Sequence, residues 1–158
     1  MDCLIREITL SDDKIIEQII RNCLIEYGAD HEGTAWADPD LGRFSEIYNT
    51  DGNKYWVAEV NGKVVGGVGI GKLEGTTEIC ELQKMYCLPE VRGKGVSKKL
   101  IEVALEYSKN YYKKCYLETL ENMVSAQRFY EKYGFVRVFD APVKTEHFLC
   151  DVKYIKDL

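Results

Sequence analysis

Residues 89–100 read PEVRGKGVSKKL. Two glycines and four cations, Arg92, Lys94, Lys98 and Lys99, crowd into one turn ahead of a run with helical spacing. The chain as a whole carries a net charge of -5, so this positive charge is local. The first turn of a helix has main-chain N–H groups without partners, and they point outward at the positive end of the helix dipole. Glycine lets that backbone approach an anion without a Cβ in the way. A strand, then Arg-Gly-Lys-Gly, then a helix is therefore a layout that binds phosphate.

Other phosphate-binding patterns do not match. A P-loop requires G-x-x-x-x-G-K-[ST], which is absent. A dinucleotide fold requires G-x-G-x-x-G at a strand-to-helix turn. Glycines 66, 67, 69 and 71 fall inside a β-rich run instead, and mark a bulge or a close backbone approach there.

Working outward, TTEICELQKMYCL (residues 76–88) is the strand that feeds the loop. The helix after it starts near Gly95 and sets Val96, Leu100, Val103, Ala104, Tyr107 and Tyr111 on one face. Upstream, KYWVAEV and KVVGGVGIGKL are strands joined by Asn61-Gly62, a dipeptide suited to a type I′ hairpin turn. CLIREI predicts a first strand. Ser11-Asp12-Asp13 then predicts a helix start, with Ile16, Ile19, Ile20, Cys23, Leu24 and Tyr27 at helical spacing and Gly28 ending the run. Residues 29–42 read as a loop, near whose end Asp40 is placed to cap a short second helix through Tyr48. Downstream come strand CYLETL, helix SAQRFYEKY, strand FVRVF and a last strand near HFLCDVKYI. The order β-α-α-β-β-β-α-β-α-β-β predicts an α/β fold with one mixed central sheet of about six to seven strands flanked by about four helices.

At 158 residues the chain suits one domain spanning 1–158. The acidic balance argues against a general nucleic-acid binder. No run approaches the ~20 apolar residues that span a bilayer, and MDCLIREITL lacks the basic start of a signal peptide. The six cysteines are scattered without a C-x-x-C pair. These features predict a cytoplasmic protein with reduced thiols and no membrane or nucleic-acid partner. His147 and Cys150 are three apart in a strand-like run, on opposite faces, which suits core packing and not a metal site.

Two segments, ELQKMYCLPEVRGKGVSKKLIEVALEY and YLETLENMVSAQRFYEKYGFVRV, together resemble the GNAT superfamily of acetyl-CoA-dependent N-acetyltransferases. The family's [Q/R]-x-x-G-x-[G/A] loop stands here as Arg92-Gly93-Lys94-Gly95-Val96-Ser97. Its second signature stands as Phe129-Tyr130-Glu131-Lys132-Tyr133-Gly134-Phe135. The resemblance covers the chain in element order and is sharpest from Glu78 to Val138.

The resemblance implies acetyl-CoA as co-substrate, no metal, an amine acceptor, and a monomer or homodimer. It assigns the CoA pyrophosphate to the amides of Arg92 through Ser97. It assigns the pantetheine arm to the strand at Met85, Tyr86 and Cys87, with the Met85 or Tyr86 amide facing the oxyanion. Tyr130 matches the tyrosine that protonates the thiolate, although it also belongs to an apolar stripe with Ala126, Phe129 and Tyr133. A base is needed because an alkylamine is mostly protonated at neutral pH. Glu81, which alternation places on one face with Gln83 and opposite Leu82, is the first candidate; Glu78 and a water-mediated route compete. The chain departs from the family pattern at Ser97 and at Met123, where the family often has Asn. Asn122, one residue earlier, is therefore either a cofactor contact or a helix N-cap. His31, Trp36 and Arg43 fall in the segment that covers the acceptor side, where Arg43 is placed to grip a carboxylate or to sit on the surface.

Overall fold

In the computed structural model, which describes residues 2–143 and 151–158, Asn61 and Gly62 take φ of 51° and 78°. They turn β3 (Asn53–Val60) into β4 (Lys63–Lys72) as the hairpin signal requires. β1 (Cys3–Glu7) and the two-residue β2 (Asn49–Thr50) pair with β3, and β4 pairs with β5 (Ile79–Cys87). The chain then crosses over through helix α3 (Val96–Ser108) to β6 (Lys114–Thr119), which lies parallel to β5. A parallel neighbour needs such a crossover, because a tight turn reverses direction. β7 (Val136–Val138) and β8 (Val152–Asp157) complete one sheet in the order β1-β3-β4-β5-β6-β8-β7. The remaining helices are α1 (Asp13–Glu26), α2 (Phe44–Ile47) and α4 (Val124–Lys132). The architecture is the expected mixed α/β sheet with four helices, plus the short β2.

The sheet separates two cores. On one side α3 buries Val96, Leu100, Ile101 and Ala104 against Ile70, Leu82 and Leu117. Each such Leu or Ile contributes roughly 1.5–3 kcal/mol of burial. On the other side α1 and α2 pack Ile16, Ile20, Leu24 and Phe44 over Tyr48, Tyr55 and Val57. The expected α3 face extended to Tyr111, but the helix stops at Ser108, whose buried hydroxyl donates to the Ala104 carbonyl, and Tyr111 is exposed. β8 begins at Val152, so His147 and Cys150 lie outside the described residues.

The start of α1 falls within Ser11-Asp12-Asp13 as expected, with Asp12 at the N-cap and Asp13 in the first turn, and a 3-10 turn at Leu10–Asp12 precedes it. The buried Asp12 accepts from the Thr9 amide at 2.8 Å and from both arms of Arg6 at 2.7 and 3.0 Å, tying β1 to α1. The Arg6 hydrogen bond holds the Asp12 carboxyl below the ordinary range. Asp12→Asn is therefore expected to lower stability by about 1.5–3 kcal/mol at pH 7, measured by urea unfolding. The wild-type advantage is present above the unfolded carboxyl pKa near 4 and is lost as pH falls below it through the lower native value, so the two proteins converge in acid.

Candidate active site

The ladder between β5 and β6 has three rungs, Ile79↔Lys114, Cys80↔Cys115 and Glu81↔Tyr116. Beyond Glu81 the strands part, and a cleft of about 500 Å³ opens between them. Leu82 to Cys87 form one wall; Leu117 to Leu120 and α4 form the other. The loop of residues 92–95 and the first turn of α3 close one end.

At that end Gly93 and Gly95 have φ of 75° and 86°, which L-residues rarely adopt, and a Cβ on either would project into open space. Among the described residues no main-chain acceptor takes the amides of Gly93 through Lys98, and no side chain caps α3. Those amides stand where an anion cradle is expected. Arg92 departs from that expectation. Its own amide donates to the Pro89 carbonyl at 3.2 Å. Its guanidinium grips Glu26 at 2.7 and 2.9 Å and the Cys87 carbonyl at 3.1 and 3.2 Å. The Arg92 side chain lines the cleft, but its charge is matched by Glu26 and it fastens the loop to α1 and β5. Ser97 lines the cradle, with its hydroxyl 3.5 Å from the Cys87 sulfur.

Tyr130 reaches the cleft from α4, with its ring against Phe135, Phe129 and Tyr154. Burial, with smaller contributions from Cys87 and Cys115, pushes its hydroxyl pKa well above the tyrosine value. The hydroxyl therefore keeps its proton across the physiological range. It has no hydrogen-bond partner among the described residues. Burial likewise pushes the Cys87 thiol up to about 11, so it is a poor nucleophile.

Met85, Tyr86 and Cys87 lie along the β5 wall, where Cys87 pairs with Gly66 and Tyr86 with Gly67. The glycines of β4 make room here. A Cβ at Gly67 or Gly69 would lie 2.5–2.8 Å from the Tyr55 ring, and one at Gly71 2.6 Å from Gln83. At the end opposite the cradle, Glu81 and Gln83 share a face as expected: the Gln83 amide donates to Glu81 at 2.8 Å, and Tyr48 donates to Gln83. Glu78 is exposed and paired with Lys113 at 3.0 Å, outside the cleft.

Several expectations end elsewhere. Met123, not Asn122, is the N-cap of α4. The Asn122 amide donates to the Tyr27 carbonyl at 2.9 Å and the residue does not line the cleft, since the one-residue offset turns it toward the end of α1. Arg43 is half-exposed and paired with Asp40 and Glu46. Trp36 stacks under Arg21, and exposed His31 bonds to the Glu32 carbonyl. Instead Thr34 and Ala35 line the cleft, together with Lys84 and Glu118. Glu118 accepts from the Tyr116 hydroxyl at 2.8 Å. Sequence reasoning missed it, although its alternation with Tyr116 in CYLETL was the available signal.

A parted pair of parallel strands, an amide cradle at a helix start and a protonated tyrosine between them suit a long phosphorylated thioester. The model of the Acetyltransferase (GNAT) domain matches residues 51–137. The chain is 42% identical to Uncharacterized N-acetyltransferase YjgM of Escherichia coli (strain K12), over 98% of this chain and 95% of that one. Its fold matches an acetyltransferase of the GNAT family from Staphylococcus aureus Mu50 with a TM-score of 0.85, at 23% identity over 99% of both chains. It also matches the PaiA N-acetyltransferase from Thermoplasma acidophilum, solved in complex with coenzyme A, with a TM-score of 0.74 at 18% identity over all of both chains. The chain is an acyltransferase and belongs to the GNAT family of N-acetyltransferases.

Proposed function

We propose that residues 1–158 act as one cytoplasmic N-acetyltransferase domain, monomeric or homodimeric, that moves an acetyl group from acetyl-CoA to a primary amine of a small molecule or amino acid by direct attack. The observation that carries this reading is the convergence in one cleft of the amides of Gly93–Lys98, the opened β5 edge and the Tyr130 hydroxyl. The residues fit CoA: the cradle offers main-chain donors and positive dipole to a diphosphate, and Gly93 and Gly95 leave its face open.

Acetyl-CoA supplies the acyl group as an activated thioester. Gly93 through Lys98 bind and orient its diphosphate through N–H groups. Met85, Tyr86 and Cys87 offer an extended backbone along which an amide-bearing arm lies like an added strand. The Met85 or Tyr86 amide is the donor for the oxyanion. Tyr130 delivers a proton to the leaving sulfur. Glu81 takes the proton of the attacking amine, directly or through water, and Glu118, across the cleft, is the competing carboxylate; the exposed, ion-paired Glu78 is a poorer candidate. The high pKa of Cys87 supports direct attack over a cysteinyl intermediate. Five free cysteines among the described residues support a reducing compartment.

The test is CoA release with acetyl-CoA over an amine panel, with acetylated products identified by mass spectrometry. Transfer to an amine supports the reading, and tight CoA binding without transfer to any amine would overturn it. Propionyl-CoA and a lysine-containing peptide in the same assay test the alternatives of a longer acyl group and a protein amine. Glu81→Gln is expected to lower kcat/KM about tenfold at neutral pH. Its rate should then climb with pH as the free amine fraction rises; a wild-type profile would exclude Glu81 as the base.

A further inference from the structure

Two described non-glycine residues have positive φ. One is Asn61, in the hairpin turn that demands it. The other is Lys84, at 50°, in the middle of β5 and on the wall of the cleft. A long side chain in that conformation is unfavourable, and such residues persist where the surroundings enforce them. Here the register between β4 and β5 jumps from Gly69↔Gln83 to Gly67↔Tyr86, which leaves Lys84 and Met85 opposite one residue. The fully buried Tyr55 holds the kink, donating its hydroxyl to the Lys84 carbonyl at 2.7 Å. Gly67 and Gly69 make the space for that ring.

The bulge decides where a charge goes. Before it, Cys80 and Leu82 face the α3 core; after it, Met85 and Cys87 do. In an uninterrupted strand Lys84 would follow Cys80 and Leu82 into that core. The extra residue turns it to the opposite face, where its ammonium meets Asp38 at 2.6 Å with only 13% of the side chain exposed. Lys84 thus stands beside Gln83, at the end of the cleft away from the phosphate cradle. The other cations lining the cleft, Arg92, Lys98 and Lys132, come from the cradle loop, α3 and α4. Arg92 divides its guanidinium between Glu26 and the Cys87 carbonyl, beside the cradle.

An ammonium has three donors, and Asp38 fixes the position of one. We propose that Lys84 is a specificity-determining residue that receives a carboxylate of the acceptor, so that the substrate class is an amine that also carries a carboxylate, an α- or ω-amino acid. Glu81 and Glu118 line the same end, so the acceptor's ammonium faces carboxylates while its carboxylate faces Lys84. This inference rests on the acetyl transfer proposed above and narrows its acceptor.

The experiment compares kcat/KM for matched acceptors with acetyl-CoA: amino acids, their carboxamides and the corresponding decarboxylated amines. A charge-assisted contact in a desolvated site should favour the carboxylate-bearing acceptor by about 10- to 100-fold. Lys84→Met should bring that ratio near one, and Lys84→Arg should restore part of it. Because Lys84→Met removes the ammonium that Asp38 faces, the double variant K84M/D38N is measured beside it, with circular dichroism reporting folding; it too should lose the preference. Transfer to simple amines with no gain from a carboxylate, or a ratio unchanged in both variants, overturns the inference and leaves the acetyltransferase reading intact. Transfer to no amine overturns both.

Discussion

Gly95→Glu is expected to weaken CoA binding by at least about 100-fold, measured by titration calorimetry. Gly95 has φ of 86° and stands just before the first residue of α3, with nothing within 4 Å of a Cβ built on it. A side chain there is therefore not excluded by packing. It carries the left-handed backbone cost of about 1–2 kcal/mol, which should lower the melting midpoint by only about 3–8 °C. The larger effect is at the cradle. A carboxylate at this position competes for the same amides and repels a diphosphate, and two unit charges about 4 Å apart near a surface interact by about 4 kcal/mol. Gly95→Ala separates the contributions, since it carries the backbone cost without the charge and should lose far less affinity. Wild-type CoA affinity in Gly95→Glu would remove the diphosphate from this loop.

Tyr130→Phe is expected to lower kcat about 100-fold while CoA affinity stays within about twofold of wild type. The ring of Tyr130 is held by Phe129, Phe135 and Tyr154, and phenylalanine preserves those contacts. The hydroxyl has no hydrogen-bond partner among the described residues, so its removal strands no buried group of the fold. Thermal stability should therefore change little. Because burial holds the hydroxyl protonated well above the ordinary tyrosine value, the wild-type rate should show no loss from this group between pH 6 and 9 on the order-of-magnitude scale of unperturbed tyrosines near 10. Single-turnover rates isolate the chemical step. Unchanged turnover would reduce Tyr130 to a core residue of the Ala126–Tyr133 stripe.

What could be read along the chain was whatever depends on neighbours in sequence. Asn61-Gly62 makes a hairpin because two adjacent residues tolerate positive φ. Arg92 to Ser97 reads as a cradle because the loop's glycines and the helix start are contiguous. The stripe of α3 follows from helical spacing, although its end did not: the helix stops at Ser108, before Tyr111. The placement of Glu81 with Gln83 on one face follows from alternation, which holds in β5 up to the bulge.

Tertiary structure alone decided how those pieces meet. Glu26, 66 residues from Arg92, takes up the guanidinium that the sequence offers to phosphate. Tyr27, 95 residues away, claims Asn122. Glu118 lines the cleft from β6 because the β5–β6 ladder stops after Glu81↔Tyr116, and Lys84 changes face because Tyr55 and the glycines of β4 hold a bulge. Backbone conformation and amphipathic period are set by adjacent residues, and so they are legible in the sequence by itself. The partner of a charge and the end of a strand ladder are set by residues tens of positions away, which only the folded sheet brings within hydrogen-bond distance.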